Sequence, residues 1–226
     1  MALILAKRIL KAHPNGFVGA IVEGRRGVGK SSYCIKVMKE VYKEYHGCND
    51  KEAYRYALKH TMFDIDQIIP LLQDARKNDE MIPVLTWDDA GVHGSSMHWF
   101  FEMSKVSVLK GLLDTVRSAT TGLLLNCPDR GGLLKMLRNY DDYIVTINVR
   151  DGHYLRAARG YNIYKLPSGM RRVYKNFEDR YSCYLPMWVY REYMQTRHEY
   201  LDKALAVAGK IRSKTKIDMK LDERNL

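Results

Sequence analysis

One octapeptide limits the folds open to this chain more than any other segment: Gly24-Arg25-Arg26-Gly27-Val28-Gly29-Lys30-Ser31. Two glycines with four residues between them, then Lys and Ser, form a P-loop pattern, which has meaning only between a strand and a helix. Both flanks are legible. Phe17 to Val22 reads as a short buried strand entering the loop. From Ser31 to about His46, Cys34, Ile35, Met38, Val41 and Tyr42 recur at helical spacing. Glycine lets the backbone turn tightly and approach phosphate oxygens without a Cβ in the way. Successive N–H groups then form an anion nest, reinforced by the positive end of the helix dipole. On this reading Gly24 to Ser31, with Ser32 in the same turn, cradle ATP. Lys30 faces the β- and γ-phosphates, and the Ser31 hydroxyl ligates Mg²⁺. A glycine turn matching by chance would lack the flanking strand and helix.

A second segment, Ile82-Pro83-Val84-Leu85-Thr86-Trp87-Asp88-Asp89, is mostly apolar and ends in adjacent carboxylates. It looks like a Walker B strand, whose first acid, here Asp88, holds Mg²⁺ at the strand's carboxyl end. The plainer alternative is a strand end whose acids face solvent. Pro83 lacks a ladder donor, so the ordered strand is expected to begin near it. Thr121-Gly122-Leu123-Leu124-Leu125-Asn126 reads as a third strand and Tyr143 to Val149 as another. Thr61-Met62-Phe63 is the best short candidate for the missing core strand. Further helices are expected over 51–60, 64–78, 98–118, 131–139 and 186–208. The helix over 64–78 has Asp64 as N-cap and Pro70 interrupting or kinking it.

With 226 residues and 46% apolar composition, the chain can bury a full core. No stretch is long and apolar enough to span a bilayer, and the charges after the first apolar residues do not fit a secretory signal. Cys34, Cys48, Cys127 and Cys183 are dispersed, which excludes a zinc-ligand spacing and points to a reducing cytoplasm. Charge is uneven. Residues 1–150 carry 21 basic and 17 acidic groups, a balance of +4, whereas 151–226 carry 16 and 9, a balance of +7. A basic balance fits a polyanionic partner such as DNA, or serves solubility alone.

After Val149 the texture changes. Turn signals at Arg150-Asp151-Gly152-His153 and Leu166-Pro167-Ser168-Gly169 divide 143–176 into a β-meander. Tyr154, Tyr161, Tyr164 and Tyr174 interleave with Arg156, Arg159, Arg171 and Arg172, a mixture that can stack on bases and neutralise phosphates. An ordinary antiparallel sheet with a solvated charged face has the same composition. The expected organisation is a nucleotide-binding core over 1–150, with the basic meander, a long helix and a tail over 151–226.

These segments, with Trp87 to Val92 and Leu133 to Arg138, make the chain resemble the small P-loop ATPases of archaeal viruses and plasmids, in the RecA-like and AAA-like division. By layout it is also similar to the morphogenesis ATPases of filamentous phages. The resemblance implies a three-layer α/β sandwich with a mostly parallel sheet, and ATP hydrolysis coupled to DNA handling or particle assembly. It implies that Asp89 activates the attacking water, although Glu is usual there, and that Asn126 senses the γ-phosphate. Asn126 also suits a turn with Pro128 and Asp129. Assembly as a homo-oligomer would let a neighbour's arginine complete the site, with Arg117, Arg130 and Arg138 as candidates. A small-molecule kinase is the rival reading, because Asp179-Arg180-Tyr181 is similar to an element of thymidylate kinases, though here it trails the core. Partition ATPases carry an early P-loop lysine where this chain has Arg25.

Overall fold

The computed structural model describes residues 2–90, 111, 116–133, 137, 142–150, 153–165, 168, 170–202 and 205. Helix α1 (Ile4–Ala12) precedes strand β1 (Val18–Glu23), whose first five residues are all buried. Burial on both faces suits a central parallel strand. The glycine loop leads into α2 (Lys30–His46), which ends where Gly47 turns left-handed and its N–H bonds the Lys43 carbonyl. α3 (Asp50–Lys59) and α4 (Ile65–Lys77) both open with capping boxes, Asn49 with Glu52 and Asp64 with Gln67. Pro70 sits inside α4 without ending it. The capping box stabilises the helix start, while the proline costs one N–H bond in the second turn. Strands β2 (Thr61–Met62), β3 (Leu85–Trp87), β4 (Gly122–Cys127), β5 (Tyr143–Val149), β6 (Leu155–Lys165) and β7 (Arg171–Ser182) complete the sheet.

The seven strands run in the order β2-β3-β4-β1-β5-β6-β7. The first five are mutually parallel, and β6 and β7 join antiparallel. The loop-bearing β1 therefore lies between β4 and β5, with β4 separating it from the Asp88-bearing β3. Side chains alternate between two covered faces. Ile21, Leu85, Trp87, Leu123 and Leu125 pack with Ile65, Ile68 and Leu72 of α4. On the opposite face the Thr86 hydroxyl meets Met38 of α2, and a Cβ at Gly122 would touch Ile9 of α1. The result is a three-layer α/β sandwich with the P-loop NTPase arrangement.

Helix α1 was not evident from the sequence, since its N-cap, Leu3, has no capping side chain. Asp179 of β7 supplies the cap: its carboxylate accepts the N–H groups of Ile4 at 2.6 Å and Leu5 at 3.3 Å, and the Tyr33 hydroxyl at 2.8 Å. At the start of the helix expected over 131–139, Arg130–Gly132 form a 3-10 turn and Leu133 is extended. The rest of that stretch is outside the described residues, apart from residue 137. The helix expected over 98–118 also falls outside them, except residues 111 and 116–118. Residues 2–185 form one compact unit, and 186 onward a second, in which α5 spans 187–202. Among the described residues no helix is long and apolar enough to cross a membrane.

Candidate nucleotide-binding site

Register brings the motif residues together. Trp87 pairs with Leu125 and Val22 with Asn126, so Asp88, Asn126 and the loop after Glu23 meet at the carboxyl ends of β3, β4 and β1. That edge is where open α/β sheets bind ligands. In the loop, Gly24, Gly27 and Gly29 have φ of +149°, +74° and +100°, a region that disfavours any side chain. Arg25, Arg26 and Gly27 are exposed at the tip, Val28 is buried, and Ser31 and Ser32 lie half-buried in the first turn of α2.

The Lys30 ammonium donates to the carbonyls of Gly24 at 2.9 Å and Arg25 at 3.1 Å, spanning the loop. Burial pushes its pKa down, and the nearby Asp89 and Asp88 charges pull it back up. The Ser31 hydroxyl donates to Asp88 Oδ1 at 3.2 Å, and Asn126 Nδ2 donates to Ser31 Oγ at 3.0 Å and to Asp88 Oδ1. Asp88 and Asn126 are each 1% exposed, so Asp88 is not a solvated strand end, and Asn126 joins the site rather than only a turn. Asn126 Oδ1 is buried with no hydrogen-bond partner, an acceptor left unused beside these groups. Ser31 Oγ and the Asp88 carboxylate, joined at 3.2 Å, are hard oxygen donors of the kind that fit Mg²⁺. Such an ion completes its shell with phosphates and water, so the absence of a larger His, Cys, Asp and Glu cluster among the described residues is no obstacle.

Asp89 follows directly, with φ +51° and its N–H on Asp88 Oδ1 at 3.0 Å. Left-handed backbone is uncommon outside glycine, and Asp tolerates it better than most residues. Beneath the loop, burial pushes the thiols of Cys34 and Cys127 up, the latter to about 12, leaving both neutral.

The four arginines read from sequence as phosphate contacts separate. Arg156 is 9% exposed and turned inward, where its Nε donates to the Val28 carbonyl of the loop at 2.8 Å. Arg159 binds Glu178 at 3.1 Å, Arg172 is exposed, and the Arg171 side chain lies outside the described residues. Sequence reasoning missed a second loop contact, in which the Tyr181 hydroxyl donates to the Gly29 carbonyl at 3.0 Å. Asp179 and Tyr181, two thirds of the kinase-like tripeptide, are thereby occupied by α1 and by the loop. Arg117 is exposed, Arg130 is half-buried, and Arg138 is outside the described residues.

Strand order and site together define a P-loop nucleotide-binding fold in which an extra strand separates the loop strand from the acidic strand. No protein-family model matches the chain. It is 29% identical over 212 residues to protein B-251 of Sulfolobus spindle-shape virus 1, covering 90% of this chain and 83% of that protein. It is 30% identical over 110 residues to ORF286 of Acidianus two-tailed virus, covering 48% of this chain and 35% of that protein. Among solved structures it is similar to B204, the DNA-packaging ATPase of Sulfolobus turreted icosahedral virus, with a TM-score of 0.44 at 13% identity, covering 72% and 99% of the two chains. A KaiC-like protein of Pyrococcus horikoshii gives 0.38 at 13% identity, covering 73% and 94%. The fold assignment rests on the strand order above.

Proposed function

We propose that this protein is a MgATP-hydrolysing P-loop ATPase that couples turnover to DNA handling or particle assembly in an archaeal virus or related mobile element. The observation that carries this reading is the hydrogen-bonded Ser31–Asp88–Asn126 cluster, its Asp88 and Asn126 buried, beside Lys30 at the mouth of the glycine loop. Lys30 would leave the Gly24 and Arg25 carbonyls for the β- and γ-phosphates. Mg²⁺, held by Ser31 and Asp88, would neutralise phosphate charge. Asp89 would accept the proton of the attacking water, and Asn126 would orient it or sense the γ-phosphate. The viral relatives support the mobile-element setting. Free cysteines suit the reducing host cytoplasm.

The DNA part rests on the +7 balance of residues 151–226. It also rests on exposed cations of the meander, Arg172 and Arg180 among them. Assembly into a homo-oligomer would let Arg117 or Arg130 of a neighbouring copy reach the γ-phosphate. Steady-state hydrolysis measured without DNA, with single-stranded DNA and with double-stranded DNA tests the proposal. Turnover that Asp89→Asn abolishes while ATP is still bound is expected, with stimulation by one DNA form. Equal turnover in wild type and Asp89→Asn would remove Asp89 from the chemistry, and indifference to both DNA forms would remove the DNA partner.

A further inference from the structure

The meander does more than widen the sheet. Arg156 of β6 and Tyr181 of β7 each reach the loop and end on consecutive carbonyls, those of Val28 and Gly29. The other Arg156 nitrogens donate to the carbonyls of Leu155 at 3.0 Å and His153 at 3.1 Å, so all three of these acceptors are backbone oxygens. A buried guanidinium is costly to desolvate, and its bonds must be made in full to offset that cost. Contact here is close. A Cβ on Gly29 would lie 3.0 Å from Cys183 Cβ, 3.6 Å from the Tyr181 hydroxyl and 3.8 Å from Arg156 Cγ. Gly29 is therefore required twice, by its left-handed backbone and by the meander packed against it.

Peptide units are planar and trans, so the N–H of each unit points opposite to its carbonyl. The Val28 carbonyl shares a unit with the Gly29 N–H, and the Gly29 carbonyl with the Lys30 N–H. We propose that Arg156 and Tyr181 are positioning residues for the nucleotide, holding these two carbonyls toward the meander so that the Gly29 and Lys30 N–H groups face the phosphates. The inference rests on the ATPase reading above and assigns the meander a part in it. The Gly29 carbonyl also accepts the Tyr33 N–H of α2 at 3.1 Å, so the helix shares in holding the second unit. Free of the Arg156 bond, the first unit could rotate, and the nest would have to be ordered at the expense of ATP affinity. The rigid guanidinium fork matters as much as its charge, because a lysine at the same place is a flexible point charge.

Equilibrium titration with MgATP, paired with steady-state kinetics, tests this on Arg156→Lys, Arg156→Gln and Tyr181→Phe. Arg156→Lys and Arg156→Gln should raise the Kd for MgATP about tenfold or more, and Tyr181→Phe should raise it less, because Tyr33 N–H still holds the Gly29 carbonyl. KM should rise more than kcat falls, because Asp88, Asp89 and Asn126 are untouched. A merely structural role predicts lower melting temperatures with unchanged Kd and KM in the folded fraction. Should Arg156→Gln fail to fold, Arg156→Lys still decides, since it keeps the charge and loses the fork that holds the Val28 carbonyl. Wild-type affinity in folded Arg156→Lys and Tyr181→Phe would overturn the positioning role alone. A wild-type protein that does not bind MgATP would overturn the ATPase reading, and this role with it.

Discussion

At the scale of single residues, the loop glycines make a graded prediction. Gly27 and Gly29 both adopt left-handed backbone, but a Cβ at Gly27 meets nothing within 4 Å, whereas one at Gly29 meets Cys183. Gly27→Ala should carry backbone strain of about 1–2 kcal/mol, and Gly29→Ala that strain plus a collision. Thermal melts should therefore rank wild type above Gly27→Ala and Gly27→Ala above Gly29→Ala. Equal melting of the two variants would contradict the close approach of β7. The pair Asp88 and Asp89 separates by role. Asp88→Asn should weaken Mg²⁺-dependent occupancy, and Asp89→Asn should keep ATP and lose turnover, as titration and hydrolysis would each show. Lys30, Ser31 and Asp88 were legible in the sequence because their chemistry lies in short contiguous motifs. Arg156 was not. Its environment is set by Val28, 128 positions away, so a charge on a strand read as a surface charge.

At the scale of elements, β6 and β7 are tied to the end of β5 by one carboxylate. Glu178 lies within 4.0 Å of Lys175, Arg159, Arg180 and Arg150, at 2.8, 3.1, 3.5 and 3.6 Å. Hydrogen bonds from Lys175 and Arg159 hold its pKa down at about 2, against an ordinary 4.5. The folded state thus binds this proton less readily than the unfolded state, and stability rises with pH across that interval. Its contribution is complete above about pH 4.5 and lost as pH falls through about 2. Glu178→Gln should melt below wild type at neutral pH, with the gap closing on acidification. A gap that stays constant down to pH 2 would show that the Glu178 charge is not what stabilises the cluster. The strands themselves were readable from apolar runs and turn residues, and α4 from its Asp64 cap. Helix α1 escaped because its capping carboxylate, Asp179, lies 175 positions from Ile4.

At the scale of the whole molecule, one sheet carries the glycine loop, the acidic strand and the basic meander. The resemblance to the RecA-like and AAA-like division implied the parallel core with β4 between β1 and β3, although the pairing of these distant segments is encoded in no local pattern. A ligand that binds only the folded chain stabilises it by mass action. MgATP at a hundredfold excess over its Kd should therefore raise the melting temperature by roughly 5–10 °C. Loss of that shift in Asp88→Asn would place the metal at the site described. If the meander contacts DNA phosphates, affinity must fall steeply with salt, and replacing Arg171 and Arg172 by Ala should flatten the slope by up to about one unit per lost contact. DNA binding that is absent at low salt, or unchanged by the double substitution, would return the meander to its role beside the loop. The central claim is that Lys30 and the loop hold a nucleoside triphosphate, and a calorimetric titration of MgATP into wild type and Lys30→Ala tests it most directly. Saturable binding by wild type, weakened at least about tenfold in a folded Lys30→Ala, is the predicted result, from the loss of a charge-assisted contact. Equal affinity in the two proteins, or no binding by wild type, would contradict it.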